Sequence, residues 1–526
     1  MKKKFIISAS YLIVNLAILV NVEAQQPQAS ATSQSTYKPA VFTGNDRIER
    51  MKPVFPIIDS IYKDHATRYK IPGLAFGIVV GDKLVHSGGY GYSNFEQKTS
   101  VTTSSVYRIA SMTKSFVGMA ILRLRDEGKL KLDDPVYKYI PEAKNIQPLT
   151  DDSPPITIRN LMTHSAGFPE DNPWGDRQLA RTDEELTRFL EKGVSLSNIP
   201  GFTYEYSNLG FAMLGNIVSR VSGQHYEKYI NENIFRPLGM NSTYWEYSEV
   251  PANTLTNGYR LVNGKWVKEE MLHRGSYGAM GGLLTSIEDF SKYISLHISA
   301  WPVRSGADNG IVKRSTLREM HLPEKVTGFN PVAKDVLGAT CPVIQSYFAG
   351  LSWTKNCTGN EYIGHNGGLP GFGTNWLFLP QYGIGIVAFS NLTYMAPSAV
   401  NKRILDTLIS LAALKPLELP ASNILNQRKQ QLVKLLPDWK DAETSGIFAE
   451  NFFSDYFVDS LRKEAKELFK KAGRILRVGE MIPDNQLRGN FILEGEKTNI
   501  FIRFTLSPEI PALIQQYIIR EEPKGK

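Results

Sequence analysis

Ser111-Met112-Thr113-Lys114 stands at the head of an apolar helical pattern that runs on through Met119, Ile121, Leu122 and Leu124. Ser and Lys at i and i+3 share one helix face, roughly 5–6 Å apart at Cβ. A serine hydroxyl is a poor nucleophile until a base takes its proton. A lysine can be that base only if its pKa falls, and both burial and the positive end of a helix lower it. At the helix start the N–H of Ser111 is free to help hold an oxyanion. The chemistry indicated is acyl transfer through a serine ester. The same Ser-x-x-Lys spacing recurs at Ser35, Ser60, Ser352 and Ser460. Ser35 falls in a polar lead and Ser352 in a strand pattern. Ser60 and Ser460 are mid-helix, where no free N–H faces a substrate.

Two further elements carry compatible chemistry. Tyr206-Ser207-Asn208 follows Pro200-Gly201 and precedes an apolar helical run from Leu209 to Val221. A loop tip there can present a phenol and an amide to a cleft. Tyr206 could relay a proton, as phenolate or through Lys114, and Asn208 could orient a substrate amide. The similar Tyr92-Ser93-Asn94 ends a strand and lacks the following helix. His365-Asn366-Gly367-Gly368 closes a strand pattern, and its glycines allow close backbone approach to a ligand. The N–H of Gly368 is the second oxyanion candidate, and His365 is expected to face the cleft as a donor. Among the other histidines, His164 is read as a loop brace. His65, His86, His225, His273, His297 and His321 show no paired metal-ligand spacing, so no metal or cofactor is expected.

These residues need a frame. Apolar spacing predicts a helix over 50–69 and strands over 73–80 and 83–92, joined by the hairpin signal Gly81-Asp82. Amphipathic helices and Pro/Gly-rich loops fill about 105–300. Strand patterns return at 346–353, 362–365, 374–379 and 384–389, followed by a helix that opens near Pro397. The arrangement predicts an α/β (α+β) fold. One antiparallel sheet would be built from both ends of the region, with a helical lobe beside it and a ligand cleft between them.

Taken together, the three elements resemble the serine β-lactamase and penicillin-binding-protein family, in the class C-like branch that includes esterases and D-amino-acid peptidases. Tyr107-Arg108-Ile109-Ala110, the run from Leu161 to Phe168, Pro237-Leu238-Gly239-Met240, Gly281-Gly282-Leu283 and the stretch from Gly364 to Gly371 carry the same resemblance. It covers roughly residues 50–415. It implies Ser111 as nucleophile, Lys114 and Tyr206 as the proton-handling pair, and Asn208, His365, Gly367 and Gly368 as substrate-binding positions. The backbones of Ser111 and Gly368 would hold the oxyanion. One departure stands out: where many relatives carry Lys-Thr-Gly, this chain has His365-Asn366-Gly367. A fixed cation is replaced by an imidazole that is neutral for much of the time at pH 7. That weakens the readings of antibiotic hydrolysis and carboxypeptidase activity and suits esterase and aminopeptidase-like relatives. The implied activity is a serine hydrolase acting on an ester, a D-amino-acid peptide or a β-lactam. The alternative is a penicillin-binding sensor that acylates with little turnover.

Composition bounds the rest. The chain has 526 residues, 42% hydrophobic and 21% charged, which is globular and too long for one ordinary domain. Sixty basic against 52 acidic residues give +8, and no Lys/Arg tract is interleaved with aromatics, so nucleic acid is not an expected partner. Small molecules or peptides, including cell-wall fragments, are. Lys2, Lys3 and Lys4 precede a short apolar run and the small-x-small Val22-Glu23-Ala24. This reads as a cleavable secretory signal over 1–24 and a periplasmic or secreted protein, not one integral to a membrane. Residues 25–49 read as a flexible lead, 50–415 as the hydrolase region, 416–440 as a linker and 441–526 as a small α+β unit. The last resembles the cystatin-like or NTF2-like units attached to some bacterial hydrolases. Cys341 and Cys357 either pair across a local hairpin or stay as two thiols. The oligomeric state is open.

Overall fold

The computed structural model describes residues 37–524 except 45, 309, 336 and 337. The expected signal, Ser35 and most of the lead lie outside the described residues. After helix α1 (Phe55–Arg68) come strands β1 (Gly73–Val80), β2 (Lys83–Asn94) and β3 (Thr99–Ser100). The middle of the chain supplies α2 (Lys114–Asp126), α3 (Asn208–Ser222), a hairpin of β4 (Tyr259–Val262) and β5 (Lys265–Lys268), and α4 (Ile287–Ser299). Strands β6 (Lys325–Asn330), β7 (Val343–Phe348), β8 (Leu351–Asn356), β9 (Glu361–Leu369), β10 (Phe372–Leu379) and β11 (Ile384–Ser390) follow, then α5 (Ser398–Leu411).

Nine of these strands form one antiparallel sheet in the order β3-β2-β1-β11-β10-β9-β8-β7-β6. The two ends of the region meet where β1 pairs with β11, Leu74 opposite Ser390, as the sequence predicted. Both are buried along their whole length, which is why they read as near-continuous apolar runs. One face is covered by α1 and α5, whose Ile58, Tyr62, Ile404 and Leu408 are buried together. The other face carries the helical lobe, with the buried faces of α2, α3 and α4 in a second core.

The strand expected over 346–353 is two strands, because Ala349 and Gly350 turn the chain with φ of +52° and +82°. That turn packs on the head of α2. A Cβ on Gly350 would lie 2.4 Å from the Lys114 carbonyl carbon, so only glycine fits.

Beyond α5, the stretch expected to be a linker holds a helix, α6 (Asn423–Leu435). Its Leu425 and Leu432 are buried in the core of the C-terminal unit, which ties it to that unit. Helix α7 (Val458–Ala472) then precedes β12 (Ile475–Val478), β13 (Ile482–Asn485), β14 (Arg488–Gly495), β15 (Asn499–Leu506) and β16 (Ile514–Glu522) in a five-stranded sheet. Cys341 and Cys357 are disulfide-bonded, sulfur to sulfur 2.10 Å, resolving the open alternative in favour of pairing. Among the described residues no helix is long and apolar enough to cross a membrane.

Candidate active site

Ser111 sits in a single turn of 3-10 helix, Ala110–Thr113, that leads into α2. Ala110 is held at φ +51°, an uncommon conformation for a residue with a side chain, immediately before the serine. The turn is pinned from several sides. The Ile109 N–H donates to the Leu283 carbonyl, the Leu283 N–H donates to Thr113 Oγ1, and Thr374 Oγ1 on β10 donates to the Ile109 carbonyl at 2.8 Å. Gly367 on β9 lets that strand close in: a Cβ there would lie 2.2 Å from the Ile109 oxygen. The first and third motifs, some 250 residues apart in the chain, are therefore in direct backbone contact.

Lys114 is fully buried. Its Nζ lies 2.9 Å from Ser111 Oγ, 2.8 Å from Asn208 Oδ1 and 2.8 Å from the Met280 carbonyl oxygen. Burial pulls its pKa down to about 7, against the opposing pull of Asp176 and Asp171. A neutral amine has two N–H bonds and one lone pair. The Asn208 and Met280 oxygens can only accept, so they take the two hydrogens. The lone pair is left facing the one neighbour with a proton to give, the Ser111 hydroxyl.

Tyr206 comes close to the same oxygen: the Ser111 hydroxyl lowers the phenol's pKa, against the larger effect of burial. The Lys114 ammonium position lies 4.9 Å from the centre of its ring. Burial pushes the phenol pKa well above its ordinary value, so the phenolate anticipated as one option is disfavoured and Tyr206 acts with its proton on. His164 braces the Tyr206 loop, as expected. Its ring lies 4.2 Å from that of Tyr206, and its Nδ1 accepts the Ser207 N–H at 3.1 Å.

Two of the expected substrate-binding side chains are held by partners within the protein. Asn208 is fully buried, its oxygen is held by Lys114 and its Nδ2 donates to Asn172 Oδ1 at 3.2 Å. The amide oxygen positions the lysine, and the bond to Asn172 takes only one of the two amide N–H groups. His365 is also buried and committed. Its Nδ1 lies 2.5 Å from the Asn366 carbonyl oxygen, so Nδ1 carries the proton, and Nε2 accepts from the Tyr347 hydroxyl at 3.0 Å. Burial and the Lys114 charge push its pKa down to about 3. It is a neutral wall of the site. Gly368 lies next to Tyr394, whose Cδ1 would stand 3.1 Å from a Cβ on Gly368.

Several participants were not foreseen. Asp171 accepts the Asn208 and Leu209 N–H groups at 2.6 and 2.9 Å and so caps α3 from 37 residues away. Asp176, its pKa pushed up to about 6 by burial, accepts from the Tyr394 hydroxyl at 3.0 Å. Tyr347 donates to the Nε2 that the Asn366 carbonyl leaves unprotonated on His365. Nothing in local spacing marks these residues, because each acts across the fold. Two decoy serines stay where their patterns put them, Ser60 inside α1 and Ser352 on β8, whereas Ser460 is the third residue of α7 and lies in its first turn, not mid-helix.

The sheet-and-lobe architecture, with a serine–lysine pair at the head of a buried helix, is a β-lactamase/transpeptidase-like fold. The family model described as Beta-lactamase matches residues 58–410. The chain belongs to the Beta-lactamase family. Protein flp of Staphylococcus aureus (strain COL) is 28% identical over 339 residues, 64% of this chain and 62% of the relative. Beta-lactamase-like protein 4 of Dictyostelium discoideum is 29% identical over 343 residues, 61% of this chain and 57% of the relative. The match thus spans less than two thirds of these relatives' length. Among solved structures, the octameric penicillin-binding protein homologue from Pyrococcus abyssi superposes with a TM-score of 0.57 at 24% identity, covering 90% of this chain and 96% of that one.

Proposed function

We propose that this protein is an exported serine hydrolase that works through an acyl-enzyme. The observation that carries the reading is the lone pair of a fully buried, pKa-lowered Lys114 directed at Ser111 Oγ, 2.9 Å away. Ser111 Oγ attacks the substrate carbonyl carbon as its proton passes to Lys114 Nζ. The oxyanion is held by the backbone N–H groups of Ser111 and Gly368. The tetrahedral adduct collapses and the leaving group takes a proton relayed from Lys114 through the Tyr206 hydroxyl. Water then attacks the ester carbonyl, its proton returning along the same pair, and the freed Ser111 oxygen regains its hydrogen.

Esters rank first as substrates, then D-amino-acid peptides, then β-lactams. With His365 neutral and both of its nitrogens occupied, the third motif offers no cation for a substrate carboxylate. This favours the class C-like esterases and aminopeptidases over carboxypeptidases. Export is supported by the leading lysines, apolar run and Val22-Glu23-Ala24. The Cys341–Cys357 bond suits an oxidising compartment. We take residues 50–415 as the hydrolase unit and the C-terminal unit, cystatin- or NTF2-like, as an appendage that begins at α6.

The test is a panel of p-nitrophenyl esters, D-alanyl peptides and nitrocefin with wild type and Ser111→Ala. Steady p-nitrophenolate release that vanishes in the variant supports the reading; equal rates in both contradict it. A second reading draws on the suppressed acidity of Tyr206, which makes it a poor base for the deacylating water. It is a penicillin-binding sensor that acylates and stalls. A fluorescent penicillin that stays on Ser111 for hours, with no ester turnover, would favour it.

A further inference from the structure

A trough of about 870 Å³ lies between the end of α1, strand β2 and the β4–β5 hairpin, and no residue of the Ser111 site lines it. Its aromatic walls come from Tyr90, Phe95 and Trp266, and its cations are Lys63, Lys70 and Lys265. The rings of Phe95 and Trp266 meet edge to face, 4.6 Å apart at 77°, and so form two sides of a corner. Their neighbours' polar handles are turned into the protein. Trp266 Nε1 donates to the Lys70 carbonyl at 2.7 Å, and the Tyr90 hydroxyl donates to the Asp59 carbonyl at 2.8 Å. What the rings offer the trough is therefore apolar surface. The three ammonium groups have no carboxylate partner among the described residues, and no acidic side chain lines the trough.

One exposed and two half-buried aromatic faces beside unpaired cations mark a binding site for a ligand that is ring-bearing and anionic. We propose that the trough binds an acidic oligosaccharide, with the C–H faces of its sugar rings on Trp266 and Phe95 and its carboxylates on Lys63, Lys70 and Lys265. Three lysines and a near-balanced chain charge make a weak footprint for a nucleic acid, which needs a longer basic track. The volume accommodates more than one sugar unit. The site is separate from the hydrolytic reading and stands or falls without it.

Isothermal titration of the full chain with tetragalacturonic acid, neutral maltotetraose and a short oligothymidylate tests the proposal. Tetragalacturonate is expected to bind, more weakly as salt rises, and the neutral saccharide to bind about tenfold less tightly. Trp266→Ala and the double variant Lys63→Gln/Lys70→Gln should each weaken tetragalacturonate about tenfold. The lysine variant changes only exposed side chains. Its thermal midpoint and ester hydrolysis should match wild type, which separates lost binding from lost folding. Failure of tetragalacturonate to bind, equal binding of the neutral saccharide, indifference to the lysine variant or tighter binding of the oligothymidylate would each overturn the proposal.

Discussion

Lys114 and Asn208 are 94 residues apart in sequence, yet the amide oxygen of one holds the amine of the other at 2.8 Å. That bond does more than fix a rotamer. With the Met280 carbonyl it absorbs both hydrogens of a neutral amine and leaves the lone pair for Ser111.

Lys114→Arg should therefore fail although it keeps the charge. A guanidinium does not deprotonate and cannot accept the serine proton. Ester hydrolysis is expected to fall roughly 10²–10⁴-fold, measured as kcat/KM for a p-nitrophenyl ester. Asn208→Ala should also lose activity, with a fall in kcat because it frees the lysine. A rise confined to KM would show that Asn208 acts on the substrate alone and not through Lys114.

The pH dependence has a defined sign. Below about 7 Lys114 is protonated and its lone pair is gone, so the rate should climb with pH and level off above that value. His365, pushed down to about 3, contributes no limb near neutrality, and His365→Gln should leave the midpoint where it was. Asp176 opposes the fall of the Lys114 pKa, so Asp176→Asn should move the midpoint to lower pH. A profile whose midpoint ignores Asp176→Asn but follows His365→Gln would assign the limb to the wrong group here.

The reach of the sequence follows from these distances. Ser111, Lys114 and Tyr206 were legible because motif and context coincided: a Ser-x-x-Lys at a helix start, and a Tyr-x-Asn just before one. Strands β1 and β11 were legible because burial on both faces leaves an unbroken apolar run. What holds Asn208 and His365 was not legible, because their partners come from other elements. Asn172, Met280 and Tyr347 set what those side chains have left to offer. Helix α6 was hidden by Pro416, Pro420 and Pro437, which flank it without entering it.

Gly350→Ala probes how the turn between β7 and β8 supports the nucleophile. The new methyl would meet the Lys114 backbone in a left-handed conformation. A loss of about 1–3 kcal/mol in stability is expected, read by denaturant unfolding, together with reduced ester turnover. Unchanged unfolding would show that the turn yields easily.

The Cys341–Cys357 bond closes a short loop, with a sequence separation of 16, at the β7–β8 end of the sheet. Replacing both cysteines with serine should cost about 3 kcal/mol of stability, with ester hydrolysis retained at temperatures where the fold persists. Equal unfolding curves with and without reductant would contradict it.

The most direct measurement is mass spectrometry of the protein quenched in acid during turnover of p-nitrophenyl acetate. One acetyl group per chain is expected, carried on Ser111 and absent in Ser111→Ala, with its formation rate rising through pH 7. Hydrolysis without an adduct, or an acetyl group on another residue that survives Ser111→Ala, would contradict it.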